Sequence, residues 1–177
     1  MTRAELAGAI HAAAHLEGEF LLRSGATATH YFDKYRFESD PRLLREIATA
    51  LAPLVPSGTA GLAGLELGGV PIATLLSQTT GLPSFFIRKQ AKKYGTRQLA
   101  EGGEIDGLKL LVVEDVVTSG GQILLSTADL RQRGARVEQA LCVIDREAGG
   151  TEKLAAEGIE LISLYRASEL RAPDATL

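Results

Sequence analysis

Two rhythms of apolar positions divide the chain. From residue 61 onward, short apolar runs alternate with segments of helical period. Residues 61–67, 83–88, 108–114, 137–144 and 159–164 read as strands, and 70–80, 122–133 and 151–157 as helices. The run Leu110-Leu111-Val112-Val113 and the run 140–144 carry no polar alternation. Such strands are covered on both faces, as parallel strands are when helices pack above and below them. Strand–helix alternation implies right-handed crossovers, so the pattern predicts an α/β fold with a central parallel sheet flanked by helices.

The first part of the chain follows a different rhythm. Residues 2–17 are rich in alanine and leucine and read as a helix. Residues 20–24 and 31–38 have short strand character and are separated by the Ser24-Gly25 turn. Asp40-Pro41 reads as a helix start, with Asp40 as N-cap and Pro41 in the first turn. Leu43, Leu44, Ile47, Ala48 and Leu51 then share one face up to Pro53. These elements predict a small separate N-terminal layer over about residues 1–40 and a core sheet over about 58–165. Together they form one domain across residues 1–177.

Composition narrows the class. The 177 residues are 45% hydrophobic and 23% charged, ordinary for a water-soluble enzyme. No apolar run approaches the roughly 20 residues of a membrane span. Glu5, Glu17 and Glu19 interrupt the first segment, so no signal peptide is expected. The lone Cys142 lies in an apolar strand pattern and reads as a small buried hydrophobe, which fits a cytoplasmic chain. A formal charge of −3 argues against general nucleic-acid affinity. Positive charge is nonetheless clustered at Arg88, Lys89, Lys92, Lys93 and Arg97, which points to a local anion.

The densest chemistry follows the run 110–113. Glu114 and Asp115 stand at the carboxyl end of that strand, where carboxylates can hold sugar hydroxyls or a hydrated magnesium ion. Val116 and Val117 lead into Thr118-Ser119-Gly120-Gly121, a short turn at the start of a helix. Free backbone N–H groups there favour a phosphate. An ordinary strand–turn–helix crossover would need no such combination of acids, hydroxyls and glycines. Three further polar clusters follow strand ends or turns near the same edge: Gly68-Gly69, Arg88-Lys89 and Asp145-Arg146. Ligands of such sheets sit beyond the carboxyl ends of the strands. The stretch 88–103 is basic, polar and punctuated by Gly95 and Gly102-Gly103, as a mobile loop would be, although a solvated charged loop has the same composition. His11 and His15, one helical turn apart in this reading, are expected at the surface.

Residues 110–122 resemble the phosphoribosyl pyrophosphate (PRPP) signature of the type I phosphoribosyltransferases: a hydrophobic strand, two acids, two aliphatics, then Thr and small residues. Arg88-Lys89-x-x-Lys92-x-Tyr94-Gly95 is similar to the catalytic loop of the orotate phosphoribosyltransferases, with Tyr94 where some members have histidine. Arg23-Ser24-Gly25 followed by Tyr31-Phe32, and the pair Asp145-Arg146, resemble the same family. Arg23 stands where many members have lysine, and Gly68 where some relatives have lysine before Gly-[Val/Ile]-Pro. One of Tyr31 and Phe32 is expected in the core, since neighbours on a strand face opposite sides.

The resemblance spans about residues 20–149 and implies a type I phosphoribosyltransferase fold with a small N-terminal hood. It implies transfer of the 5-phosphoribosyl group from PRPP to N1 of orotate, giving orotidine 5′-monophosphate and pyrophosphate in pyrimidine synthesis. Magnesium is the implied cofactor, held mainly by PRPP and waters rather than by direct protein ligands, with Glu114 and Asp115 nearby. Lys92, Arg88, Lys89 and Asp115 carry the catalytic roles. PRPP binding falls to these four with Tyr94, Glu114, Val116, Val117, Thr118, Ser119, Gly120, Gly121 and Gln122. Orotate falls to Thr118, Arg146, Arg23, Tyr31 and Phe32. A homodimer is implied, with the loop 88–103 reaching across subunits. Too little chain follows Gly149 for a fused decarboxylase to be expected. A phosphoribosyltransferase for another base, or a regulatory PRPP-binding protein of the same fold, remains open at this point.

Overall fold

A computed structural model describes residues 1–21, 25–90 and 99–170. Helix α1 (Arg3–Ala14) starts at a capping box: Thr2 Oγ1 accepts from the Glu5 amide, and the Glu5 carboxylate accepts from the Thr2 amide. A two-stranded antiparallel hairpin follows, β1 (His15–Leu21) and β2 (Thr27–Phe32). Two helices succeed it, α2 (Lys34–Ser39) and α3 (Pro41–Leu51). The Asp40 side chain caps α3 by accepting from the amides of Arg42 and Leu43, with Pro41 in the first turn as the sequence predicts.

The sheet comprises β3 (Gly61–Leu65), β4 (Ser84–Ile87), β5 (Ala100–Glu101), β6 (Lys109–Val117), β7 (Arg136–Asp145) and β8 (Glu160–Arg166). Its order is β5-β4-β3-β6-β7-β8. Every pairing is parallel except β4 with β5, a short edge strand that the apolar pattern did not mark. Helices α4 (Gly69–Thr80), α5 (Gly121–Gln132) and α6 (Gly150–Ala156) connect the strands.

The unbroken apolar runs have their expected cause. On β6, Leu111 and Val113 enter the hydrophobic cluster shared with α1, α3 and α4. Leu110 and Val112 enter the opposite cluster, shared with α5 and α6. On β7, Leu141 and Val143 divide from Ala140 and Cys142 in the same way. Period-two alternation is present, but both faces are dry. Cys142 is fully buried, and that burial pushes its thiol well above the ordinary value.

Two N-terminal expectations fail. The first helix ends at Ala14 rather than at residue 17: residues 15–17 pair with β2, and that pairing overrides a helical propensity already weakened by Gly18. The strand foreseen over 31–38 stops at Phe32; of the one foreseen over 20–24, residues 20 and 21 belong to a longer β1, and 22–24 lie outside the described residues. Asp33 accepts from the Tyr35 amide and starts α2, so residues 34–38 are helical.

Strand order reverses between β3 and β6. The chain runs outward from β3 to β4 on one side, and from β6 through β7 to β8 on the other. The crevice at the carboxyl ends of β3 and β6 is therefore a topological switch point, the usual ligand position in such sheets.

Candidate active site

Glycine opens this crevice. After β3 the turn leads to Gly68 and Gly69, which press against the end of β6. A Cβ on Gly69 would collide with the Val113 carbonyl, and one on Gly68 with the Asp115 carboxylate. Position 68 therefore has no room for a side chain while Asp115 occupies that space.

Asp115 is fully buried and lies 2.6 Å from Lys34 Nζ. Glu38, also buried, follows Lys34 by four positions on α2, so both side chains leave one face of that helix. Glu114 adds a third carboxyl. Among the described residues, Glu38 Oε1 and Glu114 Oε2 are buried without a hydrogen-bond donor. Burial, and next the hydrogen bond to Asp115, push Glu38 up to about 9, and the same causes push Glu114 up to about 9. Burial alone would raise Asp115 too, but hydrogen bonds from Glu114, Glu38 and Lys34 outweigh it and hold its carboxyl below the ordinary value. Lys34 is raised: burial opposes its charge, and Asp115 more than compensates. At neutral pH the cluster is thus an Asp115–Lys34 ion pair beside two neutral carboxylic acids. The strand-like pattern of residues 31–38 hides Lys34 and Glu38; the signal that reveals them is Asp33 as an N-cap.

Glu114 also lines a cavity of about 180 Å³ formed by Val116, Val117 and the turn 118–121, with Gln122 and Ile123. Gly120 adopts φ 73°, a left-handed conformation that glycine enters without penalty, and α5 begins at the next residue. The cavity therefore sits at a helix N-terminus, where amides and the helix dipole suit a phosphate. The structure brings together Glu114, Val116, Val117, Thr118, Ser119, Gly120, Gly121 and Gln122 as the sequence predicts.

A second cavity, about 340 Å³, is lined by Tyr31, Phe32, Arg146, Ile144 and three histidines, His11, His15 and His30. Arg146 is presented by a tight turn. Its amide donates to the Val117 carbonyl at 2.8 Å, tying it to the start of the phosphate turn. Both acidic neighbours are engaged elsewhere: Asp145 accepts from the Glu147 amide and the Thr151 hydroxyl, and Glu147 from the Ser168 amide. The Arg146 guanidinium lies over the Phe32 ring, 5.6 Å from its centre, with no ion-pair partner among the described residues. Phe32 is the core-facing member of the aromatic pair and packs near Phe37, whereas Tyr31 is 45% exposed and stacks on Phe20. Thr118 lines the first cavity and not this one. His11 and His15 are expected at the surface from the sequence; the β1–β2 pairing places His15 and His30 on this wall beside His11 of α1.

Arg88 stands apart from both cavities. Its Nε donates to Glu101 at 3.0 Å, and it lines a cleft with Glu66, Leu67, Val70 and Phe86. The Lys89 amide donates to Glu66. Lys92, Tyr94 and Arg23 lie outside the described residues.

This arrangement has known counterparts. The family model described as the phosphoribosyl transferase domain matches residues 37–164. A protein of Nocardioides sp. named orotate phosphoribosyltransferase is 48% identical over 169 residues, which cover 96% of this chain and 94% of the relative. The chain belongs to the orotate phosphoribosyltransferase family. Solved members have the same architecture. The Mycobacterium tuberculosis H37Rv enzyme in complex with Fe(III) dicitrate superposes with a TM-score of 0.87 at 32% identity, covering 96% of this chain and 99% of that one. The same enzyme in complex with PRPP gives 0.82 at 29% identity, with the same coverage. The type I phosphoribosyltransferase fold, with its parallel core and N-terminal hood, is thus the fold of this chain.

Proposed function

We propose that this chain transfers the 5-phosphoribosyl group from PRPP to N1 of orotate, with magnesium, releasing pyrophosphate and orotidine 5′-monophosphate. The observation that carries this reading is the meeting of two sites at the backbone contact between Val117 and Arg146. On one side lies an anion-binding turn with buried carboxyls; on the other, an arginine free to meet a carboxylate beside aromatic rings.

Each part has a physical task. The amides of the turn 118–121 anchor the 5′-phosphate. Glu114 faces the ribose hydroxyls from the cavity wall, and as a neutral acid can both donate to and accept from them, while Asp115 behind it stays paired with Lys34. Arg146 pairs with the carboxylate of orotate as a planar fork, and Tyr31 and Phe32 flank the pyrimidine. As C1′ loses its leaving group, negative charge grows on pyrophosphate, and Arg88, Lys89 and Lys92 compensate it. Orotate attacks as an anion, so no strong general base is needed.

Glu114 lines this cavity, with Asp115 buried beside it, and carboxyl oxygens of this kind would suit the water shell of a hard cation such as magnesium. Bound there, magnesium would add positive charge beside the pyrophosphate. The loop works across a homodimer, and the protein works in the cytoplasm. Orotate loss, followed by its ultraviolet absorbance, should require both PRPP and magnesium and stop on adding EDTA. Persistence after EDTA would remove magnesium from the account. Arg146→Leu should raise KM for orotate by about tenfold or more while leaving KM for PRPP near wild type, the loss expected for a charge-assisted pair. An unchanged orotate KM would overturn the base site.

A further inference from the structure

The hairpin holds a set of donor groups that this reaction leaves unused. Glu17 pairs directly with His30 across β1 and β2, and His15 precedes Glu17 by two residues, so all three side chains leave one face. Their ligand atoms lie within 4.8 Å of one another. None of the three side chains has a hydrogen bond or ion pair among the described residues, and Glu17 and His30 are exposed while His15 is half-buried. The rings of His11, His15 and His30 form a column, with centroids 4.8 and 5.0 Å apart.

We propose that His15, Glu17 and His30 bind one first-row transition ion of the zinc class, such as Zn²⁺, Co²⁺ or Ni²⁺. Two imidazole nitrogens and one carboxylate select these borderline ions over magnesium and calcium, which favour oxygen ligands throughout. Three protein ligands leave a position open for water, as in accessible zinc sites. Ligand atoms around tetrahedral zinc stand about 3.3 Å apart, given bonds of about 2.0–2.1 Å. The three side chains must therefore draw inward by about an ångström, which mostly exposed groups without side-chain hydrogen bonds are free to do. An ion so held cross-links β1 to β2. His15 and His30 also line the cavity of Tyr31, Phe32 and Arg146, so the ion fixes one wall of that cavity. The magnesium of the proposed reaction belongs with Glu114 and Asp115 and is a separate ion, so this site stands or falls independently of the reaction.

The test uses the full chain without a polyhistidine tag, in excess magnesium so that oxygen-only sites are filled. Titration with Co²⁺ should produce visible d–d absorption that saturates at one equivalent and is abolished by added Zn²⁺. His30→Ala and Glu17→Gln change exposed residues and should each weaken Co²⁺ binding by at least about tenfold, since losing even an outer-shell partner of a metal ligand costs that much. Absence of the visible bands would overturn the site. So would wild-type affinity in either variant, because the site needs all three ligands.

Discussion

Asp115 has no solvent exposure, yet it is the carboxyl in its cluster that stays ionised, because Lys34 lies 2.6 Å away and Glu38 and Glu114 hold protons against it. The dependence is mutual, and it makes Lys34 a structural requirement of the site. Lys34→Met strands a buried carboxylate. It should destabilise the fold by about 2 kcal/mol, a figure kept low because Lys34 is partly exposed; unchanged urea midpoints would contradict the pairing. Glu38 supplies a pH signature. Its folded value of about 9 against an ordinary 4.5 means that the folded chain holds the proton more tightly than the unfolded one. Its stabilising contribution is complete below the unfolded value and is lost as pH rises towards the folded one. Glu38→Gln removes this titration. The variant should gain stability relative to wild type between about pH 5 and about pH 9 in urea titrations. A difference independent of pH would show that Glu38 is not held protonated. Neither Lys34 nor Glu38 was legible from the sequence, because their chemistry depends on a burial that only the packing of α2 against the end of β6 creates.

At the scale of elements, legibility followed how far local signals agreed with tertiary pairing. The Asp40-Pro41 start, the apolar runs of β6 and β7 and the turn 118–121 were readable because cap chemistry, two-sided burial and glycine placement are written in adjacent residues. Residues 15–17 and 33–38 were not, since a helical propensity yielded to a hairpin in one and a strand-like alternation to a short capped helix in the other. Edge strand β5, two residues long, has no periodic signal to find. The turn before α5 supplies the test at this scale. Gly120 has φ 73°, and an added Cβ would meet Leu154 at 3.1 Å. Gly120→Ala should therefore destabilise by about 1–2 kcal/mol, the left-handed penalty of a non-glycine residue, and weaken PRPP binding as the amides lose alignment. A variant with wild-type PRPP affinity would separate the turn from phosphate recognition.

For the whole molecule, the order β5-β4-β3-β6-β7-β8 decides where chemistry can happen, because it sets the switch point beside Gly68, Gly69 and Glu114. Arg88 pairs with Glu101 away from both cavities. If the loop 88–103 acts on the neighbouring subunit of a homodimer, a Lys92→Ala chain mixed with an Asp115→Asn chain should recover part of the activity, because one site in each mixed dimer is intact. No recovery after confirmed subunit exchange would place loop and acids in the same chain. The central claim is that the acceptor is an acidic pyrimidine chosen by Arg146. An equimolar mixture of orotate, uracil, adenine and hypoxanthine, given PRPP and magnesium and read by mass spectrometry, tests it most directly. Orotidine 5′-monophosphate as the sole nucleotide is the predicted result; any other nucleotide, or none from any base, would contradict it.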